Sequence, residues 1–271
     1  MTHTITKTPP VTGVVEGSVY WITLNQPGKR NAMSLEVWQA IPRMIRKAEE
    51  APHVRAIVLR GAGGEAFSAG ADISEFPEYR FESDQGLAYN DAHNGAEAAI
   101  LECKKPTVAV VNGWCVGGGL QLAMACDIRL GTSGSRFGIT PARLGIVISH
   151  QSTTRLESEI GPAWTKLLLY TGRLISADEA LRINVIQDTG SEEYIDEQLQ
   201  RLLKEIISGE PLAQFATKQF ALRNVNTHTE DIRERQLVQE SFSNERYHEA
   251  VKRFLDKRRT DFSVCPSYQG R

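Results

Sequence analysis

The tightest constraint on this chain is a glycine triplet, Gly117-Gly118-Gly119, set between an apolar run at 107–111 and a second apolar stretch at 120–126. The first run reads as a buried strand and the second as a helix, so strand, glycine turn and helix follow one another as in α/β folds. Three successive residues without side chains let another molecule approach the main chain where a helix begins. A second segment, Ala66-Phe67-Ser68-Ala69-Gly70-Ala71-Asp72-Ile73, has the same ingredients, with Asp72 suited to a first helical turn. Two bare N–H groups converging on one oxygen form an oxyanion hole, typically worth about 3 kcal/mol per donor to a developing negative charge. Taken singly, each glycine segment reads equally as a turn after a strand. Neither has the GxxxxGK[ST] spacing of a phosphate loop or the GxGxxG spacing of a dinucleotide fold.

The flanking sequence extends the α/β pattern. Residues 11–17 and 19–24 read as paired strands, and Ser34 is placed to cap a helix whose apolar positions Val37, Ile41, Met44, Ile45 and Ala48 keep helical spacing. A buried strand at 54–59 and an Ala-rich helical segment at 83–103 come next. The second half is different: 161–170, 176–183, 192–207 and 211–226 carry helical periodicity, with a short strand predicted only at 185–188. The organisation expected is a leader at 1–10, an α/β core at 11–200, and a helical region at 201–271 that covers the core or packs on neighbouring subunits.

Composition removes several classes of function. A chain of 271 residues with 41% hydrophobic and 24% charged residues buries a core without disulfides or metals, and a net charge of −2 gives no long-range attraction to nucleic acid. The four cysteines, Cys103, Cys115, Cys126 and Cys265, have no CxxC spacing, which points to a reduced, cytoplasmic protein. The N-terminus lacks the apolar stretch of a signal peptide, and no run is long enough to span a membrane.

Taken together, the segments resemble the crotonase superfamily, the enoyl-CoA hydratases and isomerases. The resemblance covers about residues 11–262 and rests on Leu24-Asn25-Gln26-Pro27 with Asn31-Ala32, Phe67-Ser68-Ala69-Gly70-Ala71-Asp72, Lys105-Pro106-Thr107 through Asn112-Gly113, Gly117-Gly118-Gly119 and Cys126-Asp127-Ile128-Arg129. It implies a crotonase (ClpP-like) fold of repeated β/β/α turns with a C-terminal helical region, assembled as a homotrimer or a hexamer of two trimers. It also implies an acyl-CoA substrate whose thioester oxygen rests between the N–H groups of Ala71 and Gly118. Coenzyme A contacts map to Lys29, Arg30, Ala69, Asp72, Ile73, Lys257, Arg258 and Phe262. No separate cofactor and no metal are expected, because coenzyme A arrives as part of the substrate.

The pattern departs at the acids. Where the hydratases of this family carry two glutamates, this chain has Gln121 and Ala142; an amide exchanges no proton near neutral pH, and a methyl group neither donates nor accepts. Enoyl-CoA isomerases of the family typically use the second of these glutamates, so Ala142 removes that group too. Decarboxylation or carbon–carbon lyase chemistry is therefore favoured, since departure of carbon dioxide generates the enolate without a base. The segment Thr140-Pro141-Ala142-Arg143-Leu144-Gly145 looks like that of bacterial methylmalonyl-CoA decarboxylases, although those tend to carry histidine at the position of Ala71 and tyrosine at that of Ile148. The alternatives are a hydratase or isomerase with relocated acid-base groups and a non-catalytic protein that binds coenzyme A. For relocation, Ser149 stands where the dehalogenase-type members carry an aspartate, and His150 adjoins it; both also read as the start of a helix. Tyr89, Asp91 and His93 fall in the segment that lines the acyl pocket in the family, with Tyr89 and His93 on one helical face, but are expected to face solvent or a neighbour.

Overall fold

The structure is a computed structural model that describes residues 9–222, 245–258 and 260–269. Strands β1 (Val11–Glu16), β2 (Val19–Leu24), β3 (Ala56–Gly61), β5 (Thr107–Val111), β7 (Ile128–Thr132) and β10 (Asp188–Gly190) form a six-stranded sheet in the order β1-β2-β3-β5-β7-β10. β1 and β2 are an antiparallel hairpin, and every other neighbouring pair is parallel. A smaller sheet holds β4 (Ala66–Ser68), β6 (Trp114–Val116), β8 (Arg136–Gly138) and β9 (Ile175–Ser176) in that order.

The two sheets alternate along the chain. β3, β5 and β7 each lie in the large sheet, and each is followed at once by β4, β6 or β8 in the small one and then by a helix, which is the β/β/α repeat. The helices are α1 (Leu35–Glu50), α2 (Phe76–Tyr79), α3 (Ser83–Glu102), α4 (Gly118–Ala125), α5 (His150–Thr171), α6 (Ala177–Arg182), α7 (Glu192–Ser208), α8 (Pro211–Ala221) and α9 (Glu245–Leu255). Ser34 caps α1 by accepting a hydrogen bond from Val37 N–H, as its position predicts.

One face of the large sheet carries Tyr20, Ile22, Leu24, Ile57, Leu59, Ala109 and Val111 into the main core with α1, α3 and α4, and the other face carries Val19, Trp21, Val58 and Val108 against Ile195, Leu199 and Leu203 of α7. Strands buried on both faces are apolar throughout, and that is why the run at 107–111 was legible. The described parts of the C-terminal region touch the core: buried Lys218 on α8 reaches Asp127 at 2.9 Å and the Ile100 carbonyl at 3.0 Å. Buried Arg55 donates to the carbonyls of Gly209, Phe262 and Cys265 and so fastens the tail.

Local expectations need correction in several places. The strand expected at 185–188 begins only at Asp188, because Asn184 takes a left-handed φ of 66° and Val185 and Ile186 are buried in the core without sheet pairing. The helices expected near 151 and at 161–170 both form and join in one run, His150–Thr171, with a kink between them at Gly161 (φ 78°), ahead of Pro162, which has no N–H to continue the ladder. The strand expected at 54–59 runs from Ala56 to Gly61. Helix α8 ends at Ala221, and residues 223–226 of the helix expected to 226 lie outside the described residues. No helix among the described residues is long and apolar enough to cross a membrane.

Candidate active site

The two glycine segments meet. Gly70 sits at φ 97°, a conformation that only glycine takes without strain, and a Cβ there would lie 2.9 Å from the Val116 carbonyl and 3.4 Å from the Gly118 nitrogen. Gly119 packs just as closely on β4, where a Cβ would come 2.7 Å from the Ser68 carbonyl. Main chain therefore lies against main chain, and two segments far apart in sequence meet at one cavity of about 320 Å³ lined by Ala69, Gly70, Ala71, Gly117 and Gly118.

Around Ala71 the neighbouring N–H groups are occupied. Ala69 N–H donates to Arg30 O, Gly70 N–H to Ser68 Oγ and Asp72 N–H to Met33 O. Ala71 N–H has no partner among the described residues. Gly118 is the first residue of α4, where an N–H has no intrahelical acceptor, and the helix dipole adds positive potential. The arrangement can receive a single oxygen carrying negative charge.

Beside Gly118 lies a pair of ionisable groups from α3. His93 Nε2 is 3.1 Å from Glu97 Oε1, and a Cβ on Gly118 would be 3.5 Å from the same nitrogen. The imidazole stands edge-on to Trp38, with ring centroids 4.5 Å apart. Burial drives both groups towards their neutral forms: His93 is pushed down to about 4, with the nearby Arg80 charge adding to the effect, and Glu97 is pushed up to about 7. Hydrogen bonding works against that rise, since Ser152 Oγ donates to Glu97 Oε2 at 2.8 Å; Ser149 Oγ lies 2.9 Å from Ser152 Oγ and itself lines the cavity.

The sequence-derived candidates divide into those that reach the cavity and those that do not. Ala71, Gly118, Gln121, Ser149, Ala69 and Ile73 all line it. Ser149 caps α5 through Ser152 N–H, which leaves His150 in the first turn, exposed and outside the cavity wall. Lys29 and Asp72 are joined at 2.7 Å outside the cavity lining. Burial opposes ionisation of Asp72, but hydrogen bonds from Lys29 and Ser74 outweigh it and hold the carboxyl below the usual range. Arg30 is exposed next to them. Phe262 lies with the tail on Arg55, and neither it, Lys257 nor Arg258 is part of the cavity lining. Ala142 is exposed on a single 3-10 turn and does not line the cavity.

The expectation that Tyr89 and His93 face solvent or a neighbour is overturned. Tyr89 is buried, accepts from Trp38 Nε1 at 3.1 Å and lines the cavity with His93, while Asp91 is exposed. Glu97 was missed, although its signal was present: Tyr89, His93 and Glu97 recur at intervals of four, and Ala96 and Ile100 mark that side of the helix as the buried one.

The family model for enoyl-CoA hydratase/isomerase matches residues 15–264. The chain belongs to the enoyl-CoA hydratase/isomerase family. Among family members, the short-chain-enoyl-CoA hydratase of Clostridium acetobutylicum is 32% identical over 91% of this chain and 94% of its own length. The (E)-benzylidenesuccinyl-CoA hydratase of Thauera aromatica is 31% identical over 79% of this chain and 82% of its own. The crystal structure of a family protein from Hyphomonas neptunium superposes with a TM-score of 0.89 at 35% identity, covering 94% of this chain and 97% of that one. The fold is the crotonase fold.

Among the described residues no group of three or more His, Cys, Asp or Glu side chains is arranged to hold a metal ion. The cysteines at 103, 115, 126 and 265 are free thiols.

Proposed function

We propose that this chain acts on an acyl-CoA thioester by proton transfer next to the carbonyl, with the thioester oxygen held by the N–H groups of Ala71 and Gly118. The observation that carries the reading is His93 beside Gly118, lining the same cavity as Ala71 and Gly118, with buried Glu97 Oε1 3.1 Å from its Nε2. The acid-base groups absent from Gln121 and Ala142 are supplied from α3 rather than from His150.

The steps follow from the protonation states. His93 is neutral at physiological pH, so its ring nitrogen accepts a proton from the carbon next to the carbonyl. The electrons of that C–H bond move to the thioester oxygen, where the two N–H groups stabilise the enolate. The imidazolium that forms is paired with the Glu97 carboxylate. Return of the proton to a different carbon gives isomerisation; in dehydration the proton taken from the α-carbon leaves with the β-hydroxyl as water, and in hydration a water oxygen adds at the β-carbon while its proton passes to the α-carbon. Gln121, buried on the first turn of α4, contributes an amide that orients water or substrate without exchanging a proton.

Decarboxylation or carbon–carbon lyase chemistry remains the second reading, favoured by Gln121 and Ala142, because it forms the same enolate without a base. A homotrimer, or a hexamer of two trimers, is the proposed assembly by likeness to the family.

The experiment compares wild type with His93→Ala and Gly118→Pro, following deuterium uptake at the α-carbon of butyryl-CoA, hydration of crotonyl-CoA and carbon dioxide release from methylmalonyl-CoA. The expected result is exchange by wild type, lost in both variants. Exchange undiminished in a folded His93→Ala protein overturns the base assignment, and carbon dioxide release that survives there favours the second reading. Tight binding of these thioesters with no turnover of any of them points to a non-catalytic protein.

A further inference from the structure

Arg80, at the C-terminal end of α2, is the feature of the cavity that thioester chemistry leaves unused. Its guanidinium carbon lies 4.8 Å from the centroid of the Phe76 ring and 5.1 Å from that of Tyr89, so two aromatic rings hold it. Of its five N–H donors, one is used among the described residues, Nη2 donating to Asn90 Oδ1 at 3.0 Å. No carboxylate of the described residues pairs with it; the ion pairs nearby join Lys29 to Asp72 and His93 to Glu97. Asn90 and Asn94 line the cavity beside it, and Ile139, Leu144 and Ile148 supply apolar wall.

A guanidinium that is partly removed from water and has donors to spare has lost hydration without gaining a counter-charge. Its rigid planar fork matches a carboxylate in bidentate geometry, and the aromatic contacts hold it before any ligand arrives. An acyl chain ending in a methyl group would leave that cation unpaired when it displaces water from the cavity. A chain ending in a carboxylate would pair it.

We propose that Arg80, flanked by Asn90 and Asn94, binds a second carboxylate on the acyl group, so that the preferred substrates are coenzyme A thioesters of dicarboxylic acids. The inference rests on the acyl-CoA reading above and names the substrate class of that site. Arg80 lies near enough to His93 to depress its proton affinity, which sets the anion in the compartment of the reacting chain. A carboxylate held on a guanidinium is also held as the anion. Loss of carbon dioxide from it would discard that charge pairing, so this carboxylate passes through the reaction unchanged.

The test is calorimetric titration of the full chain with glutaryl-CoA, pentanoyl-CoA and free coenzyme A. The two thioesters differ by a terminal carboxylate in place of a methyl group. Wild type is expected to bind glutaryl-CoA about tenfold or more tightly than pentanoyl-CoA, the preference a charge-assisted bidentate pair provides. In Arg80→Met the ratio falls to about one, and in Arg80→Lys, which keeps the charge but not the fork, part of it survives. Equal affinities in wild type overturn the proposal while leaving the acyl-CoA reading intact. Parallel weakening of all three ligands in Arg80→Met also overturns it, by assigning Arg80 to the phosphates of coenzyme A. Failure of wild type to bind any of the three removes the acyl-CoA reading and the proposal together.

Discussion

His93 Nε2 and Glu97 Oε1 lie 3.1 Å apart, one turn along α3, and neither atom has a well-aligned hydrogen bond among the described residues. Contact without alignment leaves both groups dependent on where one proton sits. Near neutral pH the pair with both groups neutral and the pair with Glu97 ionised lie close in cost, and a ligand that carries charge into the cavity selects between them.

That relationship predicts a pH signature in turnover. Glu97, pushed up to about 7 by burial, titrates within the working range, whereas His93, pushed down to about 4, does not. The profile of kcat/KM should show an inflection near neutrality that disappears in Glu97→Gln. Ser152 donates to Glu97 and favours its ionised form, so Ser152→Ala should move the inflection to higher pH. An inflection unmoved by either substitution would detach it from Glu97.

Stability has a matching dependence, with its sign fixed by linkage. Because folding raises the affinity of Glu97 for its proton, the stabilisation from that proton is fully present below the unfolded carboxyl range and is lost as pH rises through about 7. His93, whose proton affinity is lowered, acts in the opposite sense: its contribution is present above the unfolded histidine range and is lost as pH falls towards about 4. Glu97→Gln should therefore gain on wild type as pH rises from 5 to 9, by a difference on the order of 2 kcal/mol in urea unfolding. A constant difference across that range would refute the assignment.

His150 serves as the control for location. It is exposed at the start of α5 and does not line the cavity, so His150→Ala should change kcat/KM by less than about threefold. His93→Ala should lower it on the order of a hundredfold or more, the range expected for removing a general acid-base group. Reversal of that ranking in steady-state kinetics would return the chemistry to the α5 terminus.

Gly119→Ala tests the backbone packing that forms the cavity. Its Cβ would come 2.7 Å from the Ser68 carbonyl, a main-chain atom that cannot swing aside, so α4 has to move. Chemical unfolding should show a loss of about 1–3 kcal/mol, with turnover falling further than that loss explains because Gly118 N–H is displaced. Wild-type stability and turnover would mean that β4 and α4 are not in contact through their backbones.

Arg55→Met tests the fastening of the tail. Three carbonyls lose one donor, those of Gly209, Phe262 and Cys265, and the expected cost is on the order of 3 kcal/mol. Limited proteolysis should cut first between residues 255 and 266, before any cut in the core. Cleavage at the wild-type rate there would show that other contacts hold the segment.

The sequence by itself determined the α/β class, the run of apolar strands and both glycine segments. These signals are local: a strand buried on both faces is apolar throughout, and a left-handed or closely packed position excludes side chains. The small sheet was not legible strand by strand, because β4, β6 and β8 have three residues each and β9 two, too few to show a period. Ala71 and Gly118 were legible as a pair only through likeness to a family, since 46 positions of chain separate them and only the crossing of β4 by α4 brings them together. Tertiary structure alone decided that His93 turns into the cavity with Glu97 buried against it, while His150 turns out to water. The helix period placed Tyr89, His93 and Glu97 on one face, but which face is buried depends on Trp38 and Ser152, contributed by helices elsewhere in the chain. Burial by those neighbours turns an ordinary histidine and an ordinary glutamate into a pair in which the glutamate titrates near neutral pH and the histidine stays neutral.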